Sequence, residues 1–164
     1  MSTNNNLPHV LVLPEDKANS EIANGFLLHY SLSYRSIRVL SPSGGWKATV
    51  DKFIRDCMPK MRQYPKRYFV LLIDFDKRED RLDYIKQRIP DDVKDRVFVL
   101  GAFSNPEELR RSIGESLEAI GETLSANCSD NTVGLWGHDL LKHNKTELER
   151  MISSVKPFLF NQAK

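Results

Sequence analysis

The run Tyr68-Phe69-Val70-Leu71-Leu72-Ile73-Asp74-Phe75-Asp76 is the most strand-like stretch of this chain, and its apolar character stops abruptly at charge. Carboxylates two residues apart project from the same side of a strand, so their repulsion has to be relieved by a cation, a proton or solvent. A divalent metal is one answer, because hard-cation sites are built from such oxygen ligands and open α/β sheets place their ligands at the carboxyl ends of parallel strands. Hydration of both aspartates at a solvent-facing strand end is the other.

On either side of this run, strand and helix patterns alternate. Upstream, residues 9–13 form a short apolar run that ends at Pro14-Glu15-Asp16, and residues 20–30 carry Ile22, Phe26 and Leu27 at helical spacing. Residues 37–40 read as a second strand closed by Ser41-Pro42-Ser43-Gly44-Gly45, after which Val50, Phe53, Ile54 and Cys57 mark a helix that Pro59 helps to terminate. Downstream, Leu82, Ile85 and Ile89 give a helix up to Pro90, and residues 97–100 a fourth strand ending at Gly101. From Pro106 the pattern is helical, with Leu109 and Ile113, then Leu117, Ile120 and Leu124, a polar break over residues 127–132, and a last helix over residues 145–155. A fifth strand near residues 133–136 is an option.

Crossovers of this length imply parallel pairing and right-handed connections. The expected fold is α/β: a three-layer, mostly parallel, four- to five-stranded sheet with helices on both faces and a helical C-terminal third. Residues 1–8 are expected to form a disordered head, residues 9–112 the α/β core, and residues 113–164 a helical extension packed on the same domain.

A chain of 164 residues with 40% apolar content suits one domain with a real core. The net charge of +2 gives no global basic field, so any nucleic-acid binding must come from a local patch. Lys60, Arg62, Lys66 and Arg67, then Lys77, Arg78 and Arg81, then Arg110 and Arg111 are such patches, each interleaved with acids or standing at a helix surface, where solvation is the ordinary fate. Cys57 and Cys128 are too few for a disulfide framework and fit a reducing compartment. The polar start of the chain and the lack of a long apolar run lead to the expectation of a cytoplasmic protein without a membrane span.

In such a sheet the functional loops emerge at one edge. Glu15 would follow the first strand, Gly44-Gly45 the second, Asp74 and Asp76 the third, and Glu107 the fourth. This pattern resembles the topoisomerase and primase (Toprim) fold, which has a glutamate at the end of its first strand and a D-x-D at the end of its third. The residues matching here are Glu15 and Asp74-Phe75-Asp76. The chain looks closer to stand-alone Toprim proteins and to the overcoming-lysogenization-defect nucleases of bacterial defence systems, which carry a Gly-Gly turn, here Ser43-Gly44-Gly45-Trp46-Lys47, and an acid after the fourth strand, here Glu107. The resemblance spans residues 9–112. The family's glutamate is followed by glycine and, four positions on, by a second acid, whereas this chain has Asp16 and Asn19 there, so that Glu21 would take the second acid's part.

The resemblance implies a Toprim/Rossmann-like domain that performs Mg2+- or Mn2+-dependent phosphodiester chemistry on nucleic acid, with DNA the expected substrate, in a defence or repair system. Asp74 and Asp76 would hold the metal, with Glu21 and Glu107 as further acids, and Glu15 would be a ligand or the general base. The related nucleases carry an ATPase domain in the same chain, which makes a separately encoded ATPase or other subunit the expected partner. Two alternatives stay open: a catalytically inactive Toprim-like module that binds a protein partner, and a receiver-like module with Asp74 as its phosphorylated residue.

Two further segments gather functional residue types. Backbone N–H groups of Gly44 and Gly45 at a helix start could cradle a phosphate with Lys47 adding charge, or the glycines could simply permit a tight turn. Within residues 136–144, His138 and His143 are five apart, a spacing that does not stack two imidazoles on one helical face for zinc. Lys142 could approach the acidic edge as a charge-stabilising cation or remain hydrated.

Overall fold

The computed structural model describes residues 4–161. Its centre is a parallel sheet of strands β1 (His9–Pro14), β2 (Ile37–Val39), β3 (Arg67–Leu72) and β4 (Val97–Leu100), in the order β2-β1-β3-β4. Alternate residues of these strands feed two separate cores. Leu11, Leu13, Phe69, Leu71, Val97 and Val99 point to one face, and Val10, Val12, Val70, Phe98 and Leu100 to the other. Burial on both faces explains why the strands read as unbroken apolar runs.

Helices α1 (Lys17–Phe26), α5 (Pro106–Ile113), α6 (Leu117–Asp130) and α7 (Lys145–Leu159) cover the face of Val10 and Val12, to which they contribute Ile22, Leu109, Leu124 and Val155. Helices α2 (Trp46–Lys52), α3 (Met58–Gln63) and α4 (Arg81–Arg88) cover the other with Val50, Met61 and Ile85. The result is the expected three-layer α/β architecture, and no helix among the described residues is long and apolar enough to cross a membrane. The expected disordered head falls partly on residues 1–3, outside the described residues. From Asn4 onward the chain makes a turn, and the Leu7 N–H donates to the Asn4 carbonyl at 3.2 Å.

Pro59 does not end the helix in which it lies. A π-helical turn over Phe53–Cys57, in which the Met58 N–H reaches back to the Phe53 carbonyl, joins α2 to α3, so the missing N–H of Pro59 is absorbed near the start of α3. The sheet also has no fifth strand among the described residues. Residues Gly134–Gly137 form a 3-10 turn instead, with Trp136 buried and its Nε1 donating to the Leu124 carbonyl at 3.1 Å.

The outer edge of β4 is closed by side chains of the C-terminal segment. Glu147 Oε1 accepts from the Val99 N–H at 3.1 Å, and the Asn144 side chain both accepts from the Gly101 N–H and donates to the Gly101 carbonyl. Arg150 donates to the Val97 carbonyl and to Glu147. A side-chain ladder thus stands where a further strand would pair, satisfying backbone groups that burial would otherwise leave unpaired.

Helix α1 is held by its crossing with α6. A Cβ on Gly25 would lie 2.0 Å from the Glu118 carbonyl oxygen, and one on Gly121 would lie 2.0 Å from that of Ile22. Only glycine at both positions lets the two backbones touch. This contact anchors the C-terminal half of α1 against α6.

Candidate metal centre

Strands β1 and β3 are neighbours with Pro14 opposite Leu72, and the ladder continues one residue further because the Glu15 N–H donates to the Leu72 carbonyl at 2.8 Å. The chain leaves β1 toward β2 on one side, whereas β3 and β4 lie on the other. The loops after β1 and β3 therefore diverge, and the crevice between them is where open α/β sheets take their ligands.

Glu15, Asp16 and Asp74 each place a carboxylate oxygen within 4.8 Å of the others in that crevice. Asp16 is the N-cap of α1, with Oδ1 accepting from the Asn19 N–H at 2.9 Å. Asn19 is wholly buried, and its Nδ2 donates both to Asp16 Oδ1 at 2.9 Å and to Asp74 Oδ1 at 2.8 Å. One amide thus ties two acids from different strand ends. The backbone N–H of Asp74 donates to Glu15 Oε1 at 2.9 Å and closes the cluster.

Burial makes Glu15 and Asp74 reluctant to ionise together. The Glu15 carboxyl is pushed up to about 7, first by desolvation and then by the charges of Asp74, Asp16 and Asp76, against the opposing hydrogen bond from the Asp74 N–H. Asp74 is pushed up to about 6 by desolvation and by Asp16 and Asp76, with the Asn19 amide pulling the other way. The donor set suits a hard divalent cation, since it consists of carboxylate oxygens converging from two loops. The buried Asn19 Oδ1 beside them has no hydrogen-bond partner.

Asp76 does not join Asp74. Strand β3 ends at Leu72, and the backbone turns to a φ of 49° at Asp76 and 61° at Lys77, so the side chains no longer alternate as on a strand. The half-exposed Asp76 carboxylate pairs instead with Arg81 Nη1 at 2.6 Å. Arg81 also donates to the Asp74 carbonyl at 2.7 Å and stacks on the Trp46 ring at 4.3 Å, which locks the loop after β3. The third acid of the cluster is Asp16, whose signal in the sequence is an N-cap aspartate three residues before Asn19.

The other expected site residues lie elsewhere. Glu21 is half-buried on α1 and lies outside the cluster. Glu107 is exposed in the first turn of α5, capped by Asn105, and pairs with Arg110. Lys142 is exposed and pairs with Asp139 at 3.1 Å. The Gly44 and Gly45 N–H groups both donate to the Glu15 carbonyl, at 2.9 and 3.2 Å, so they are committed to folding the loop onto β1 rather than free to cradle a phosphate. Their φ angles of 80° and 123° are what that turn requires. Lys47 lies over the Trp46 ring at 5.5 Å.

His143 packs between Phe75 and Phe103, at 4.9 and 5.3 Å between ring centroids, with the Gly101 backbone as a polar neighbour but no well-formed hydrogen bond to either ring nitrogen. Burial pulls it down to about 4, with the Gly101 backbone offsetting part of the effect. His138 faces Ser112 instead, Nε2 to Oγ at 3.0 Å. Comparison of the chain with protein-family models, with curated proteins and with solved structures finds no match.

Proposed function

We propose that Glu15, Asp16 and Asp74 hold Mg2+ or Mn2+ and that the protein cleaves phosphodiester bonds in nucleic acid, DNA being the substrate that the Toprim resemblance implies. The observation that carries this reading is the convergence of these carboxylates, within 4.8 Å of one another, at the point where the strand order reverses. A divalent cation bound there supplies neutralisation of charge on phosphate oxygens and a bound water of lowered pKa. Asn19 holds Asp16 and Asp74 at a fixed separation, and the Asp74 N–H orients Glu15 through one of its oxygens. The second Glu15 oxygen is left to accept or release a proton, and in the metal-free protein this group titrates near neutrality.

One observation favours a catalytically silent, partner-binding module instead. Asp76, the second acid of the D-x-D motif, is committed to Arg81. Under either reading we propose service with a separately encoded ATPase in a defence or repair system.

The deciding experiment is titration of Mg2+ and Mn2+ into wild type and Asp16→Asn/Asp74→Asn, following heat and thermal unfolding, then cleavage of labelled DNA by wild type and Glu15→Gln. Metal-dependent stabilisation that is lost in the double variant, with cleavage lost in Glu15→Gln, is the expected result. Absence of metal binding, tested both alone and with nucleic acid present, would leave the partner-binding module as the better reading.

A further inference from the structure

We propose a second, independent site: the cleft beside the outer strand β2 binds the phosphate groups of a small ligand of mononucleotide size. The cleft has a volume of about 310 Å3, with Leu11, Leu40 and Phe69 as apolar lining and Arg38, Lys60 and Arg67 as its cations. Leu11 stands opposite both Arg38 of β2 and Phe69 of β3, so these side chains emerge together on the sheet face that α2 and α3 cover.

The charges of this cleft are uncompensated. Among the described residues the Arg38 and Lys60 side chains have no ion-pair or hydrogen-bond partner. Arg67 is half-buried and has only neutral partners: Nε donates to His9 Nε2 at 3.0 Å, Nη2 donates to Asn5 Oδ1 at 2.9 Å, and the guanidinium lies over the Tyr64 ring at 4.7 Å. His9 is fully buried with Nδ1 at 2.8 Å from the Leu7 carbonyl, so it is the neutral tautomer, with Nδ1 as donor and Nε2 as acceptor. It therefore fixes Arg67 in place without cancelling its charge. The acid that lines the cleft, Asp56, is gripped through both oxygens by Arg55 at 2.9 Å. Elsewhere, Arg62, Arg78, Arg88 and Arg110 at the surface and the buried Arg81 each have a carboxylate.

A partly buried cation without an anion is unfavourable, and an oxyanion with several acceptor oxygens satisfies guanidinium and ammonium donors together. The volume is at the lower end of small-molecule pockets, and apolar lining beside a cationic rim suits a ligand with a flat, weakly polar body and a phosphate tail. None of these residues belongs to the acidic edge, so this site stands or falls separately from the proposed nuclease activity.

The test uses the full chain in EDTA, which leaves the acidic edge without a divalent cation. Binding of ADP, of inorganic pyrophosphate and of a short single-stranded oligonucleotide is measured by calorimetry at low and high salt. ADP is expected to bind, pyrophosphate to bind more weakly, and the double variant Arg38→Gln/Lys60→Gln to bind ADP roughly tenfold or more weakly. Both substituted residues are exposed, and an unchanged melting temperature shows that the variant is folded. Binding of the oligonucleotide alone, lost in the same variant, overturns the small-ligand assignment and gives the cations to a nucleic-acid backbone. No binding of any probe, or ADP binding equal in wild type and variant, overturns the site.

Discussion

The backbone N–H of Asp74 donates to the Glu15 carboxylate at 2.9 Å, although 59 residues separate the two in sequence. This bond joins the loops after β1 and β3 and sets both acids, each less than a tenth exposed, against Asp16. Removing one charge from such a cluster relieves repulsion and removes a ligand at the same time. Asp74→Asn is therefore expected to raise metal-free stability by about 1–2 kcal/mol while abolishing stabilisation by Mn2+. Thermal unfolding with and without Mn2+ checks both halves, and a variant less stable than wild type that still responds to metal would refute the cluster as a metal centre.

The pH dependence has a defined sign. The folded-state pKa values of Glu15 and Asp74 are raised, to about 7 and about 6, so the native state holds protons that the unfolded chain has already released. The stability tied to these groups is fully present below the unfolded values of about 4 and is lost as pH rises through 6 to 7. Metal-free wild type is expected to lose melting temperature between pH 5 and 8, and Glu15→Gln/Asp74→Asn to lose clearly less.

Asn19 donates to Asp16 and Asp74 from a fully buried position. Asn19→Leu leaves both carboxylates without that donor, so it is expected to cost about 1–3 kcal/mol and to weaken Mn2+ binding even though no ligand is altered. Asn19→Asp, adding a fourth acid, is expected to destabilise the metal-free protein more. Chemical denaturation read beside a Mn2+ titration separates the two effects.

The ladder from α7 to β4 makes Glu147 and Asn144 structural. Glu147 is 2% exposed and serves the Val99 N–H, Lys86 and Arg150. Glu147→Leu leaves the buried Val99 N–H unpaired and returns the partly exposed Lys86 and Arg150 to solvent, and a loss of about 1–3 kcal/mol is expected. Hydrogen exchange at the Val99 and Gly101 amides should rise with it, whereas slow exchange at both would show that the edge is closed by something else.

His143 acts on the acid side. Its folded-state value of about 4 lies below the ordinary 6.5, so the unfolded chain binds a proton that the native state refuses, and stability falls as pH drops from about 6.5 toward 4. His143→Phe removes this titration together with two unpaired ring nitrogens. The variant is expected to gain about 1 kcal/mol at neutral pH and more at pH 5, as melting curves at both pH values would record.

Much of the fold is legible in the residues themselves. The apolar runs that became β1, β3 and β4 are continuous because both faces of a parallel strand are buried, and the helices between them carry apolar residues at a spacing near 3.6. Glu15 and Asp74 are legible for the same reason, as acids placed directly after those runs. Asp76 falls outside the carboxylate group because the same-side rule holds only while the chain is extended, and the backbone leaves that geometry beyond the end of β3. The optional fifth strand does not form: the short apolar run around Gly134 carries too little information about which partner closes the edge, and the side chains of Asn144 and Glu147 occupy it.

The sequence by itself determined the layered α/β class, the position of the strand ends and the presence of acids at them, because these depend on periodicity and on residues adjacent in the chain. Strand order, the choice of Asp16 over Asp76, the commitment of Gly44 and Gly45 to the Glu15 carbonyl, and the unpaired cations of the β2 cleft were decided only by tertiary structure. Each depends on which groups from distant segments come within hydrogen-bonding distance, and packing, not local propensity, sets those distances.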